Sequence, residues 1–123
     1  MERTILSLSL DQDNLHRRAD ILKSNGFDVV SVSSPTQARF EIEMGQCGIF
    51  VSCALVSDIV NADLFGLFKR FCPDGVIVHV TSSRSQMRPT AQPHADLEIE
   101  EASGPDGIAK VLITYLKEHE EAA

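Results

Sequence analysis

Three cysteines and four histidines are the side chains of this 123-residue chain best suited to nucleophilic, metal or acid–base work. Their spacing argues against a zinc site: Cys47, Cys53 and Cys72 form no CxxC pair, and no two Cys or His stand at ligand spacing. Three is also an odd number and too few for a disulfide framework, which fits a reducing, cytoplasmic setting. Cys53 ends an apolar run, Gly48-Ile49-Phe50-Val51-Ser52-Cys53; it could be a reactive thiol, but a small buried, packing cysteine is the favoured reading. His79 lies inside another apolar run and reads as a packed histidine. His16 and His119 fall on helix surfaces, His94 in a loop, and none is given a role. Asp11 and Asp13 flank the turn after the first apolar run. That turn, Asp11-Gln12-Asp13-Asn14, lacks glycine, so no phosphate-cradling dinucleotide loop is expected there.

The elements that must carry these residues follow from hydrophobic period. Thr4 to Leu10 reads as a strand, Phe27 to Val32 as a second and Gly48 to Cys53 as a third, apolar on both parities. Val76 to Val80 makes a fourth, and Ala95 to Glu100, alternating weakly, a fifth near an edge. Between them lie helical stripes. Leu15, Ala19 and Leu22 follow an N-cap placed at Asp13-Asn14 and stop at Asn25-Gly26. Ala38, Ile42 and Met44 follow Ser34-Pro35 and end near Gly45. Leu64, Leu67, Phe68 and Phe71 follow a loop holding Ser57, Asp58 and Asn61. Ile108, Val111, Leu112, Tyr115 and Leu116 follow a start at Ser103-Gly104-Pro105-Asp106. The polar stretch from Ser82 to Pro93, with Arg84, Met87 and Arg88, leaves room for one short helical turn. Strands alternating with helices imply a parallel sheet and right-handed crossovers. The expected fold is α/β, a doubly wound (βα)5 flavodoxin-like sandwich. Its five strands run in the order 2-1-3-4-5, and its fourth helix is short or absent. Residues 1–123 form one domain at this length.

This layout resembles the receiver domain of bacterial response regulators over nearly the whole chain. Three segments carry the resemblance: Thr4-Ile5-Leu6 through Asp11-Gln12-Asp13 with the helix closing on Gly26-Phe27-Asp28; Gly48 to Cys53 followed by Asp58; and Pro73-Asp74-Gly75 through Thr81-Ser82. The family implies an acidic pair holding a divalent cation after the first strand. It also implies a phosphoacceptor Asp ending the third strand, a Thr or Ser ending the fourth and a Lys ending the fifth. Mapped onto this chain, Asp11 matches one acidic position, while its neighbours Leu10 and Gln12 are not carboxylates. Asp13 is a partial substitute or a helix cap, the cap being favoured. Cys53 stands where the acceptor Asp belongs, and Thr81 is retained. Glu101, or Glu100 on a one-residue shift, stands at the Lys, and Ala102 at the Pro that usually follows it. A thiol cannot ligate the metal and become an acyl phosphate, and a carboxylate repels the phosphoryl group that a Lys would neutralise.

The resemblance thus implies a degenerate receiver, or pseudo-receiver, a non-enzymatic signalling or interaction module with no cofactor and no bound metal. Its pocket would comprise Asp11, Asp13, Cys53, Thr81 and Glu101. A protein partner is expected and a homodimer possible, the family commonly pairing through its fourth helix, fifth strand and fifth helix. The rival expectation is a small ligand- or redox-sensing domain using Cys53 in the crevice at the strand ends. It is opposed by Asp11, Asp13 and Glu101, which would disfavour a thiolate, and by the lack of a nearby cation. Charge narrows the partners further. Eleven Lys and Arg against eighteen Asp and Glu leave −7, no electrostatic footprint for nucleic acid or an anionic membrane. Eight of the acids and only two of the bases fall in residues 94–123, an acidic end read as a solvated face. The opening apolar run is broken by Ser7 and Ser9 and is too short for a membrane span or a secretory signal.

Overall fold

A computed structural model describes residues 4–53, 56–81 and 95–122. The first strand, β1 (Thr4–Leu8), stops two residues short of the expected end. Its chain then turns into α1 (Gln12–Ser24). The cap is Asp11, not the expected Asp13-Asn14: its Oδ1 accepts from the N–H groups of Asp13 at 3.0 Å and Asn14 at 3.3 Å. An extended backbone at Asp11 frees those donors for its side chain. Gly26, at φ +91°, closes the helix as expected. Then come β2 (Asp28–Val32) and α2 (Pro35–Met44), the latter capped by Ser34 with Pro35 at its first position and ended by Gly45 in the left-handed region. The third strand, β3 (Ile49–Cys53), is buried at all five residues.

In α3 (Asp58–Phe71) the helix starts earlier than expected, on a Ser57 cap, so Asn61 is helical and not part of a loop. Next comes β4 (Val76–Thr81), buried throughout. The chain returns at β5 (Leu97–Glu100), passes through a 3₁₀ turn at Glu101–Ser103, and ends in α4 (Gly104–Ala122). Four helices stand among the described residues. The stretch where the short fourth of five was expected, with Arg84, Met87, Arg88 and His94, lies outside them.

The sheet is parallel throughout, with strand order 2-1-3-4-5. Helices cover both faces, as the apolar runs on both strand parities require. Ile5, Ile49, Val51, Val78 and Val80 pack under α1 and α4 against Leu22, Ile108, Leu112 and Leu116. Leu6, Leu8, Phe50 and Ile77 pack under α2 and α3 against Ile42, Leu64, Phe65 and Phe68. The helical stripes account for most of this packing. Met44, Phe71 and Val111 are exceptions, all exposed. Of the described residues, no helix is long and apolar enough to cross a membrane.

Candidate functional site

The expected pocket residues gather at the carboxyl ends of the strands, where open α/β sheets present their crevice. Cys53 ends β3, in register with Val80 of β4 and through it with Ile99 of β5. It is buried and packs with the apolar cluster under α2 and α3. Thr81 ends β4, and its hydroxyl donates to the carbonyl of Ile99 at 3.5 Å. Glu101 opens the 3₁₀ turn after β5. Asp11 and Glu101 are joined through one neutral amide: Asn14 Nδ2 donates to Asp11 Oδ2 at 3.5 Å and to Glu101 Oε1 at 3.3 Å. Asp13 stands apart, exposed in the first turn of α1. Among the described residues no group of three His, Cys, Asp or Glu is arranged to hold a metal ion. The Asp11 carboxylate is engaged instead as a helix cap.

Two polar residues inside this region were not anticipated from the sequence. Asn61, fully buried on α3, accepts from the hydroxyl of Ser52 at 2.6 Å. It donates to the carbonyls of Cys53 and Val56, both at 3.3 Å. It pins the end of β3 to the first turn of α3. The other is Arg18. It sits between Leu15 and Leu22 on the inner face of α1 and is only 5% exposed. Its Nη1 donates to Ser7 Oγ at 3.1 Å and to the Leu8 carbonyl at 3.2 Å, reaching the end of β1. Burial pushes its guanidinium below its ordinary pKa. The charges of a Cys53 thiolate and of Glu101 work in the opposite direction. A buried cation thus stands beneath the strand ends, against Ser7 and Leu8 of β1, where none was expected. Arg18 lies three residues after Leu15 and four before Leu22, so the period places it on the buried stripe, and only its charge kept it out of the expected core. The signal was the small hydroxyl at Ser7 inside an otherwise apolar strand, a place for a buried donor to land.

Cys47, Cys72 and His79 behave as packing residues. Cys47 is buried, and Cys72 is half-buried at the end of α3. Burial pushes the Cys72 thiol up, with the charge of Asp74 adding to the effect. His79 is buried in β4 with its ring edge-on to Phe65 at 5.8 Å. His16 and His119 are exposed, and His119 stacks on Tyr115 at 3.8 Å.

No family model and no curated protein sequence matches this chain. Solved structures do. A response-regulator receiver domain from Methanospirillum hungatei is 17% identical, with a TM-score of 0.79 over the full length of both chains. The N-terminal domain of a response regulator/sensory box/GGDEF three-domain protein from Carboxydothermus hydrogenoformans is 13% identical, with a TM-score of 0.76 over 97% of this chain and 98% of that one. A receiver domain from Clostridium thermocellum gives 12% and 0.72 over 98% of each. At such identities the likeness is one of fold: this chain has the fold of receiver domains.

Proposed function

We propose that this domain is a receiver-like signalling module that does not take up a phosphoryl group and acts by contact with other proteins. The observation that carries the reading is the trio at the strand ends. Cys53 is buried where an acceptor carboxylate would have to be exposed to a phosphodonor. Asp11 is committed to capping α1. Glu101 brings a negative charge to the end of β5, where a developing phosphoryl charge needs a positive one. The permanent charge of Arg18 sits under the same crevice, held by the end of β1.

The test is incubation with acetyl phosphate and Mg²⁺ followed by intact mass. The expected result is no phosphoryl adduct. An adduct that disappears in Asp11→Asn or Asp58→Asn protein overturns the reading.

A second reading, in which Cys53 senses a ligand or an oxidant, has in its favour the place of Cys53 at the carboxyl end of β3. Against it stands the 6% exposure of Cys53.

A further inference from the structure

The buried charge of Arg18 raises a question of compensation. Its two hydrogen bonds run to neutral oxygens, Ser7 Oγ and the Leu8 carbonyl. Among the described residues the ion pairs are Arg39–Glu43 and Lys69–Asp96, so no carboxylate pairs directly with Arg18. Glu101 acts on the guanidinium only through space, and a buried charge without a direct pair is costly. Arg18 lines an open cavity of about 150 Å³ between α1 and the start of α4. Arg17 adds a second cation to the same wall. The helix N-terminus at Gly104 and Pro105 also borders the cavity. Its dipole favours negative charge, although Pro105 has no N–H and the Gly104 N–H donates to the Glu101 carbonyl. The rest of the wall is the Asn14 amide and an apolar side formed by Val80, Pro105 and Ile108. Glu101 also lines the space and limits how much negative charge it tolerates. The volume is room for roughly six non-hydrogen atoms, about the size of benzene.

We infer that this cavity binds a small aliphatic monocarboxylate. The carboxylate pairs with the guanidinium groups of Arg18 and Arg17, a geometry suited to two parallel N–H···O bonds. The hydrocarbon end lies against Val80, Pro105 and Ile108. A dianion such as phosphate is disfavoured by Glu101 and leaves the apolar wall uncovered. The inference stands apart from the proposed signalling role, since it requires neither a phosphoryl group nor a protein partner.

The test is a nuclear magnetic resonance titration of the ¹⁵N-labelled full chain with sodium isovalerate at fixed ionic strength. Saturable shifts are expected at the amides of Asn14 to Arg18 and of Gly104 and Asp106 to Ile108. Isovaleramide, the uncharged isostere, should bind roughly tenfold more weakly, as loss of a charged hydrogen bond implies. Inorganic phosphate should give no saturable shift. Glu101→Gln, an exposed position, should tighten isovalerate binding about fivefold by removing a neighbouring negative charge. Arg18→Met should abolish binding; should that variant fail to fold, the Glu101→Gln and isovaleramide arms still decide. Absence of saturable shifts at these amides overturns the inference. So does equal binding of the amide, saturable phosphate binding there, or weaker binding in Glu101→Gln.

Discussion

At the scale of single residues, the contrast between Cys53 and Cys72 separates position from reactivity. Cys53 occupies the place in the fold where chemistry would be done, at the carboxyl end of β3. Yet modification needs access as well as a thiolate, and Cys53 is 6% exposed beneath the end of β3. Cys72 is more accessible, but burial and Asp74 hold its thiol above the ordinary value. A disulfide-forming thiol reagent applied to native protein at neutral pH should therefore label one cysteine, Cys72, slowly, and Cys47 and Cys53 only on unfolding. The Cys72 rate should climb as pH passes the ordinary thiol value of about 8.5, still rising where a free cysteine has levelled off. Labelling of Cys53 ahead of Cys72 at neutral pH would instead establish the sensing role. The sign for stability follows from the same shift. A raised thiol pKa stabilises the fold fully below the ordinary value, and that contribution fades as pH rises through the raised one.

At the scale of elements, α3 shows what hydrophobic period can and cannot locate. Its stripe of Leu64 and Phe68 was legible because both bury against β3 and β4. Its first turn was not, because Asn61 scores as a loop residue on any propensity scale and is tolerated in the helix only through tertiary bonds. Those bonds, from Ser52 and to the carbonyls of Cys53 and Val56, fix where β3 ends and hence where Cys53 sits. Asn61→Ala strands the Ser52 hydroxyl in the interior and should cost about 2–3 kcal/mol in denaturant unfolding. Adding Ser52→Ala removes the stranded group and should recover part of that loss. A single variant within about 0.5 kcal/mol of the parent, or a double variant no better than the single, would show that the pair does not hold the β3–α3 junction. The same reasoning explains Arg18 and the Asp11 cap. The cap is chosen by the turn after β1, which a one-dimensional period does not contain; the period does put Arg18 on the inner face, and its partners at Ser7 and Leu8 explain how a charge is held there. By contrast the 2-1-3-4-5 order was legible, since alternating strands and helices leave few parallel topologies.

At the scale of the whole molecule, the charge distribution matters more than its sum. The net −7 is held largely by residues 94–123, which carry eight acids and two bases. The fold gathers these onto β5, the 3₁₀ turn and α4, along one edge. Glu98 and Glu100 are exposed on β5 and followed at once by Glu101. At the far end, Glu118, Glu120 and Glu121 occupy the closing turns of α4, where the helix dipole is already negative. Lys69 offsets one member, pairing with Asp96 at 2.9 Å while Asp96 also accepts from the Ile77 N–H at 2.7 Å. That pair is partly buried, so salt screens it less than it screens the exposed acids. Repulsion along the edge should therefore dominate the response to salt. Raising NaCl from about 10 mM to about 100 mM shortens the screening length from about 30 Å to about 10 Å. The melting temperature should rise by about 2 °C, the shift expected when a few tenths of a kcal/mol of repulsion are relieved in a domain of this size. Replacing Glu118, Glu120 and Glu121 together by Gln should raise the low-salt melting temperature and flatten the dependence. A melting temperature that falls with salt would mean that the Lys69–Asp96 pair and the buried Arg18 outweigh the acidic edge. The edge would then be a compensated surface.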